Sequence, residues 1–581
     1  MFSKTEGNSR KVLQPNFIPM TKAEAEKFGW NSLDVIIVSG DAYVDHPSFG
    51  SALIGRLLIG SGFKVGIISQ ADWKNPESLK KLGRPRLCFA ISSGNIDSML
   101  KLYTASRRLR KEDDYSESGK PGLCPPMATV VYANLARQAY PGVKVILGGI
   151  EASLRRVAHY DYWQDKIRPS ILCDSKADLL IYGMGEKAVA DAVSRLDRGE
   201  SISGIRGTAR LAGAGESKKI NRLNYVVLPD YDKIRETPEE LLKSFAILEN
   251  EMNPFNGRAL LQSYGERQLI IEAPQAPLSR TELDSIYGMP FSYCPHPSYR
   301  DKIPAYEMIK DSVTAVRGCP GACSFCSLSL HQGKFLQSRS SESLISEISK
   351  LAERSSFRGT ISDIGGPTAN SYSCYQNGGD RCKKCRRVSC LFPEICRDFR
   401  IDENEFYKLL DSASKIDGVK HVFIGSGLRI DLALRQPRLM RKIIAEHVSG
   451  HLKIAPEHLN DKVLNLMRKN KSEDFFKFMK LFQDETRKTG KKQYLLPYFI
   501  SNFPGSGEEE FKVVEEFLRN SQWKLQQVQD FIPLPMTIAS AIYYCGKNLK
   551  GEKVHVNKGL GERRHQRNSL SGRSGHGSWR K

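Results

Sequence analysis

The sequence predicts a mixed α/β protein made of two successive strand–helix regions. Short apolar runs alternate with segments whose apolar residues recur at helical spacing, first over residues 31–200 and again over 305–550. Strands that alternate with helices in this way favour sheets covered by helices. The remaining segments are predicted to be an N-terminal extension over 1–30, a connector over 201–304 and a disordered basic tail over 551–581.

The first region is predicted to be a doubly wound sheet. Apolar runs predict strands at Leu33–Ser39, Lys64–Ser69, Arg86–Ile91, Val143–Gly148 and Asp178–Tyr182. Helical periodicity predicts helices at Phe49–Ile59, Pro126–Ala139 and Lys187–Leu196. In the connector, Tyr225–Leu228 and Gln268–Ala273 have the composition of strands, and Pro274 ends the second one.

The second region is predicted to be a partial (β/α)6 barrel, about three-quarters of a full eight-fold barrel. The predicted strands are Ser312–Val316, Thr360–Ile364, His421–Ile424, Leu452–Ile454, Tyr494–Ile500 and Val528–Ile532. The predicted helices are Leu344–Ala352, Glu403–Ser414, Pro437–His447, Phe475–Lys488 and Glu508–Arg519, with Ser341 as the N-cap of the first. Because active sites of such barrels lie at the carboxyl ends of the strands, we examined the loops that follow them.

Composition and charge indicate which partners and which cellular location to expect. The net charge of +22 favours a nucleic-acid or other anionic partner, although a solvated basic surface explains it equally well. No run of about 18 apolar residues predicts a membrane span, and the first residues lack the apolar segment of a secretory signal. The clustered cysteines suit a reducing compartment, so the expected location is the cytoplasm, with no membrane partner.

Three cysteines in one loop are the most informative motif. Cys319, Cys323 and Cys326 follow the first barrel strand with the spacing C-x3-C-x2-C. Three thiolates hold three irons of a [4Fe–4S] cube and leave the fourth iron open for a small molecule. The alternatives to an iron–sulfur cluster are a zinc site and no metal at all. A zinc site usually has four ligands, and His331 alone is a weak candidate for the fourth.

This cysteine loop, with an aromatic residue at Phe325, resembles that of radical S-adenosylmethionine (SAM) enzymes. The resemblance implies SAM on the open iron, one-electron cleavage to a 5′-deoxyadenosyl radical, and an electron donor such as a flavodoxin or ferredoxin. It also implies that residues in later loops bind SAM, namely Gly365, Gly366, Ser426, Arg429, Lys453 and Glu457. Arginine pairs well with a carboxylate, whereas a structural ion pair is the alternative role for Arg429 and for Glu457.

Longer segments resemble one family within that superfamily, the uncharacterised YgiQ family. They are VQDFIPLPMTIASAIYYCG at Val528–Gly546, DIGGPTAN at Asp363–Asn370, the stretch Tyr293–Cys326, and GLCPPMATVVYANLARQAYPGVKVILGGIEASLRR at Gly122–Arg156. The resemblance covers about Leu33 to Gly551. It implies a radical SAM enzyme and leaves the substrate open.

The first region resembles the Rossmann-like, cobalamin-binding type of domain found before many radical SAM barrels. Its loops carry Gly148-Gly149 and Gly183-Met184-Gly185-Glu186 after strands. That family binds cobalamin through D-x-H-x-x-G, whereas this chain has Asp45-His46-Pro47-Ser48-Phe49-Gly50. Because the aspartate-to-histidine spacing differs, we expect the fold without cobalamin.

A second set of cysteines lies in a predicted insertion over 371–397 of the barrel. It comprises Cys374, Cys382, Cys385, Cys390 and Cys396, with Cys382 and Cys385 spaced as a metal-binding C-x2-C knuckle. A second iron–sulfur cluster and a structural zinc are both compatible with this set. Neighbouring basic residues, Lys383, Lys384, Arg386 and Arg387, are suited to an anionic substrate.

Three functions are compatible with these motifs. The first is a radical SAM enzyme of unknown substrate. The second is an RNA-modifying enzyme such as a tRNA methylthiotransferase, favoured by the basic charge and disfavoured because no separate RNA-binding barrel follows Gly551. The third is a non-catalytic iron–sulfur or zinc protein, which predicts no cleavage of SAM.

Overall fold

A computed structural model describes residues 14–521 and 529–570 of the chain. The chain divides into two compact units, Met1–Lys310 and Asp311–Lys581. The first 13 residues of the predicted N-terminal extension lie outside the described residues. The rest of that extension includes a short helix, Lys22–Glu26, closed at its start by a capping box between Thr21 and Glu24.

Unit 1 is built on one large mixed sheet. Its order across the described residues is Val226–Val227, Leu260–Tyr264, Arg267–Ile271, Thr208–Ala212, Leu179–Ile181, Lys144–Leu147, Cys88–Ser92, Val35–Ser39 and Val65–Ser69. The last five of these strands are parallel to one another. All five residues of Val35–Ser39 are buried, as expected for a parallel strand that is covered on both faces.

Helices surround this sheet, and three of them, Gly50–Gly60, Ala128–Ala139 and Glu186–Asp197, match predicted helices, whereas Glu239–Asn250 was not predicted. The helices are Gly50–Gly60, Ser98–Leu102, Ala128–Ala139, Gly149–Leu154, Ile171–Ser175, Glu186–Asp197, Ala214–Ser217, Tyr231–Glu236, Glu239–Asn250, Arg280–Tyr287 and Pro304–Ile309. Short antiparallel pairs join His159–Asp161 to Lys166–Arg168 and Val44–Asp45 to Cys294–Pro295.

The segment predicted to be a connector completes the sheet of unit 1. Thr208–Ala212 runs antiparallel to Leu179–Ile181, and Arg267–Ile271 runs antiparallel to both Thr208–Ala212 and Leu260–Tyr264. The predicted boundary at residue 200 is therefore wrong, because antiparallel strands extend the sheet beyond its parallel half. Local apolar patterns identify such strands without showing which sheet they join.

Unit 2 contains the strands of the predicted barrel, each parallel to the next where they pair. They are Ser312–Thr314, Val316–Arg317, Thr360–Ile361, Asp363–Gly365, His421–Val422, His451–Glu457, Tyr494–Ser501 and Gln529–Asp530. Parallel pairing joins the first of the six predicted strands to the second, the second to the third, the fourth to the fifth and the fifth to the sixth. A parallel bridge between Leu428 and Ile454 connects the third to the fourth.

The helices of unit 2 alternate with these strands. They are Leu328–Gln332, Ser341–Ala352, Asp380–Lys384, Asn404–Ala413, Ile430–Ala433, Pro437–Glu446, Asp461–Met467, Ser472–Thr489, Glu508–Ser521, Ile538–Cys545 and Leu560–Leu570. Ser340 caps Ser341–Ala352 by accepting from the amide of Ser343, so the predicted cap at Ser341 is wrong by one residue. The strand predicted at Val528–Ile532 is Gln529–Asp530 in the structure, and Val528 lies outside the described residues.

The basic tail is ordered over 551–570 and ends in the helix Leu560–Leu570, so the prediction of disorder from residue 551 is wrong for that part. Gln566 on the helix Leu560–Leu570 accepts from the amide of Asn502 (2.8 Å) and donates to the carbonyl of Ser506 (2.7 Å). Arg563 donates to the carbonyl of Phe531. Composition alone missed this helix because tertiary contacts hold it. Residues 571–581 lie outside the described part.

Among the described residues, no helix is both long and apolar enough to cross a membrane. The longest helix of unit 2, Ser472–Thr489, carries charged residues at both ends and buries only one apolar face.

Candidate functional site

The cysteine loop leaves the strand Val316–Arg317 through a sharp turn. Gly318 has a φ of +88°, and a Cβ at this position would overlap the carbonyl oxygen of Phe335. A side chain is therefore excluded both by the backbone conformation and by the close approach of another segment. The turn directs the chain away from the strand at its carboxyl end, which places Cys319 at the start of the loop.

Backbone hydrogen bonds hold the first half of this loop. The amide of Cys319 donates to the carbonyl of Gly333 (3.0 Å), and the amide of Cys390 donates to the carbonyl of Pro320 (2.9 Å). The hydroxyl of Ser389 donates to the carbonyl of Gly321 (2.7 Å). The insertion after the second strand therefore supports the loop directly.

The second half of the loop is held by two other elements. The amide and hydroxyl of Ser324 donate to the carbonyls of Met467 (3.0 Å) and Leu466 (2.6 Å). The carbonyl of Ser324 accepts from the amide of Ala539 (2.9 Å), at the start of the helix Ile538–Cys545. Phe325 packs edge-to-face against Phe503, with 6.1 Å between the ring centroids. The loop is thus anchored on both sides of Cys323.

The three thiols of the loop lie in a buried and electrostatically coupled environment. Burial raises the pKa of the Cys326 thiol well above its ordinary value, and negative charge on Cys323 and Cys319 raises it further. Burial also raises the pKa of Cys319, an effect that the nearby Arg429 opposes. Three thiolates in such a space need positive charge among them, which is what an iron–sulfur cluster supplies. The donor set therefore fits that cofactor.

The described side chains do not form a metal-binding arrangement in this structure. Within residues 14–521 and 529–570, no group of three cysteine, histidine or carboxylate side chains is arranged to hold a metal ion as it stands. The assignment of Cys319, Cys323 and Cys326 as cluster ligands consequently stays a prediction based on their shared loop and donor chemistry.

Arg429 lies against the loop rather than open to solvent. Its guanidinium makes a two-pronged ion pair with Asp431 (2.7 and 3.0 Å) and lies 3.7 Å from the sulfur of Cys323. A Cβ at Gly321 would overlap the same guanidinium. The structure therefore shows the structural ion pair that was the alternative for Arg429, while its role toward a SAM carboxylate stays a prediction.

Gly365 and Gly366 end the second strand beside the third loop. Gly365 pairs with Thr314 on the first strand, and a Cβ at Gly365 would overlap the hydroxyl of Ser426. A Cβ at Gly366 would overlap the carbonyl oxygen of Val316, one residue before the turn into the cysteine loop. These glycines thus let the second strand approach the base of the cysteine loop, as a cofactor site between the two loops requires.

Ser426 is oriented by a carboxylate that the sequence reading did not assign. Its hydroxyl donates to Asp363, which also accepts from the amides of Gly425 (2.8 Å) and Ser426 (3.0 Å). Burial raises the pKa of Asp363, while these hydrogen bonds and the nearby Lys453 lower it. The carboxylate directly before the two glycines was the available signal for this role.

Glu457 and Lys453 lie on one strand but in different surroundings. Glu457 is buried, has a φ of +67°, and lies 3.7 Å from the ammonium of Lys469, whose positive charge partly offsets the rise in its pKa on burial. Lys453 is exposed, and its carbonyl accepts from the amide of Leu428 (3.1 Å). Lys469 was missed because it lies in a turn after a helix, far from any recognisable motif.

The cysteines of the insertion fall into two groups. Cys374 is fully buried and packs with Leu391, Phe399 and Leu432 in a small apolar cluster, which Cys390 and Cys396 also contact. Burial raises the pKa of its thiol to about 11, so it remains protonated. The other four, Cys382, Cys385, Cys390 and Cys396, lie beyond a two-residue strand pair at the base of the insertion.

In unit 1, the loops after the central parallel strands carry ion pairs. Lys101 lies 2.7 Å from Asp41 and 3.7 Å from Asp113, and it donates to the carbonyl of Gly40 (2.8 Å). All three charged side chains are buried. In the loop that resembles a cobalamin motif, Asp45 makes a buried ion pair with Arg56.

Comparison with protein families places both units in one class. A model described as "Radical SAM N-terminal" matches residues 17–312, and the "Radical SAM superfamily" model matches residues 313–518. The second match contains the cysteine loop and the glycine loops described above. The fold and site thus define a radical SAM superfamily protein.

Full-length relatives narrow the class to one family. UPF0313 proteins from Rhodopseudomonas palustris and Methanocella arvoryzae are 43% and 44% identical to this chain, over 94% of it and 85% and 91% of their own lengths. One from Thermotoga neapolitana is 45% identical over 94% of this chain and 96% of its own. The chain belongs to the UPF0313, or YgiQ, family, which confirms the resemblance found in the sequence.

A solved structure shares the fold and corrects one expectation. The radical SAM methyltransferase TsrM from Kitasatospora setae, with tryptophan and a SAM analogue bound, has a TM-score of 0.50 at 13% identity, over 93% of this chain and 89% of its own. The same enzyme has also been solved with cobalamin and a [4Fe–4S] cluster bound. The expectation of a fold without cobalamin is therefore wrong, because this fold includes a cobalamin-binding enzyme.

Proposed function

We propose that this chain is an enzyme that holds a [4Fe–4S] cluster on Cys319, Cys323 and Cys326 and reductively cleaves SAM. The observation that carries the proposal is the cysteine loop itself. Three thiols share one loop, and hydrogen bonds between this loop and the segments at Gly333, Ser389 and Met467 hold it in place. Such preorganisation is expected of a site that must position a reacting group.

The surrounding residues bind and orient the cofactor in this proposal. Gly365 and Gly366 expose backbone groups to the SAM methionine amine, and Ser426, oriented by Asp363, faces the ribose. Lys453 supplies positive charge at the same edge. When bound, the cluster supplies the electron that splits SAM into methionine and a hydrogen-abstracting 5′-deoxyadenosyl radical.

Arg429 acts on the loop as much as on the ligand. Its guanidinium pairs with Asp431 and lies beside the Cys323 sulfur and against Gly321. It therefore stabilises negative charge on the thiolates. Glu457, paired with Lys469, is the carboxylate available to the SAM amine. The electron comes from a small donor protein such as a flavodoxin or ferredoxin in this proposal, and the substrate is left open.

Spectroscopy of the reduced cluster tests the proposal. The protein is purified and reconstituted without oxygen, reduced, and examined by electron paramagnetic resonance with and without SAM. A cluster signal that changes when SAM is added is expected, because SAM binds the open iron. The Cys323→Ala variant should lack the part of the signal that responds to SAM.

Cys545→Ala serves as the matched control, because this thiol also lies in unit 2 but outside the loop, where its sulfur contacts the carbonyl of Lys547. It should keep the signal and its response to SAM. A signal that still responds to SAM in Cys323→Ala, or one that SAM does not change in the parent protein, would contradict the proposal.

A further inference from the structure

The insertion in the barrel is a small structure with little core of its own. Two short strands, Tyr375–Gln376 and Phe399–Arg400, pair at its base, and the amide of Asn377 donates to the carbonyl of Asp398 (2.7 Å). Between them the described chain forms one five-residue helix, Asp380–Lys384, and otherwise irregular loops. Segments with so little apolar core commonly need a metal or a covalent link to hold them.

Four cysteines lie close together beyond this base. The amide of Cys396 donates to the carbonyl of Cys390 (2.8 Å), and the amide of Cys385 donates to the carbonyl of Cys382 (3.3 Å). The two pairs are joined through Asp398, which makes an ion pair with Arg381 (2.6 Å).

The sulfur of Cys382 also lies close to Asp398. A Cβ built on Gly378 would lie 2.7 Å from the Cys382 sulfur and 3.0 Å from the Asp398 Cβ. The helix that carries Cys382 therefore meets the segment that follows Cys396.

Cys374 differs from these cysteines in the hydrogen bonds that its thiol donates. The amide of Arg387 donates to the sulfur of Cys385 (3.3 Å), and the side-chain amide of Gln376 donates to the sulfur of Cys390 (3.7 Å). Donors aimed at sulfur stabilise a thiolate, which is the form that binds metal. The sulfur of Cys374 instead lies 3.8 and 3.9 Å from two carbonyl oxygens, to which it donates as a neutral thiol, besides accepting from Gln436 (3.8 Å).

We propose that Cys382, Cys385, Cys390 and Cys396 form a second metal centre of four thiolates, without Cys374. Four cysteines complete the ligand set either of a tetrahedral zinc site or of a fully ligated [4Fe–4S] cluster, so this centre keeps no position open for a small molecule.

The centre also supports the cysteine loop of the barrel. Ser389 and Cys390 hold the carbonyls of Gly321 and Pro320, and the ammonium of Lys334 donates to the carbonyl of Arg387 (2.5 Å). Cys390 is thus both a ligand of the second centre and a direct contact of the first loop. Loss of the second metal loosens that contact.

Metal analysis of a chain without the first ligand set tests the proposal independently of the proposed function. The variant Cys319→Ala/Cys323→Ala/Cys326→Ala is purified without oxygen and assayed for iron, sulfide and zinc. About four irons with four sulfides, or about one zinc, is expected per chain. Adding Cys385→Ser should remove that metal, whereas adding Cys374→Ser should leave it. A triple variant without metal, or a metal that needs Cys374 and survives Cys385→Ser, overturns the proposal.

Thiol labelling of the unaltered protein covers the case in which a variant fails to fold. Cys382, Cys385, Cys390 and Cys396 should resist alkylation together and become reactive together after treatment with a chelator, as read by peptide mass spectrometry. Cys545, outside the site, should react equally in both conditions. Hydrogen exchange at the amide of Cys390 should rise after chelation. Alkylation of the four thiols that the chelator does not change overturns the proposal.

Discussion

The carboxyl ends of the parallel strands differ between the two units in how their charges are balanced. In unit 1, the loops after the strands bury Lys101 between Asp41 and Asp113, so positive and negative groups of the chain neutralise one another. In unit 2, the corresponding loop carries three thiols, and burial and mutual repulsion raise the pKa of Cys326. One edge is balanced by its own side chains, whereas at the other the nearby Arg429 is already paired with Asp431.

This difference separates structural polar residues from cofactor residues. Buried ion pairs with complete hydrogen bonds are costly to break and hold loops in place. Thiols that share a buried loop, beside a cation that a carboxylate already neutralises, are suited to a metal or cluster. Removing a charge should therefore unfold unit 1, whereas removing a thiol from the loop should empty the site and leave the fold.

The largest expected effect is on the stability of unit 1. Lys101→Met leaves Asp41 and Asp113 buried without their cation, which should cost about 3–5 kcal/mol of unfolding free energy. Denaturant midpoints measure the loss, and hydrogen exchange of peptides from residues 35–101 assigns it to unit 1. Lys144→Met, which removes a more exposed partner of Asp178, should cost about 1 kcal/mol or less. Equal effects of the two changes would contradict the assignment of the large cost to the buried ion pairs of Lys101.

A smaller effect is expected from crowding the base of the cysteine loop. Gly366→Ala places a methyl group onto the carbonyl of Val316, which should cost about 1–3 kcal/mol in unit 2 and reduce SAM binding. Gly427→Ala is the matched control, since the nearest atom to its Cβ, the Lys453 carbonyl oxygen, lies 4.0 Å away. Denaturant midpoints and SAM titrations compare the two variants. If Gly427→Ala were the more damaging change, the close approach would not be the cause.

Acid should weaken each unit through a buried neutral histidine. Burial, with help from nearby Arg155 and Arg168, lowers the pKa of His159 to about 3, and burial lowers the pKa of His458 in unit 2 to about 4. Both are neutral when folded and gain a proton on unfolding below about pH 6.5, so stability falls as the pH drops through 6.5.

The loss should approach about 1.4 kcal/mol per pH unit for each histidine, down to about pH 3 in unit 1 and pH 4 in unit 2. Unfolding midpoints between pH 7 and 4 measure it. His159→Gln should flatten the dependence in unit 1, and His458→Gln that in unit 2. A dependence unchanged by both substitutions would show that other groups dominate.

The sequence predicted the parallel half of the fold because apolar runs mark buried strands directly. The strand predicted at Leu33–Ser39 is Val35–Ser39 in the structure, and that at Tyr494–Ile500 is Tyr494–Ser501. The antiparallel extension of the sheet and the helix Leu560–Leu570 depend on distant partners, so local patterns show neither which sheet the strands join nor that the tail ends in a helix. These were the elements predicted wrongly.

The candidate site was predictable to a similar extent. Cysteine spacing and paired glycines indicate chemistry within a few residues, so Cys319–Cys326 and Gly365-Gly366 could be identified without a structure. The partners that orient the neighbouring residues could not, because Asp363 accepts from Ser426, and Lys469 pairs with Glu457, only once the segments fold together. Pairing across loops is a property of the tertiary structure.

Formation of 5′-deoxyadenosine from SAM is the most direct test of the account. The reconstituted and reduced protein is incubated with SAM without oxygen, beside Cys323→Ala and Cys545→Ala, and the product is quantified by chromatography. The account predicts product from the parent protein and from Cys545→Ala, and none above background from Cys323→Ala, with unfolding midpoints of unit 1 unchanged in all three. Equal product from Cys323→Ala, or no product from a parent protein whose loaded and reduced cluster does not bind SAM, would contradict it.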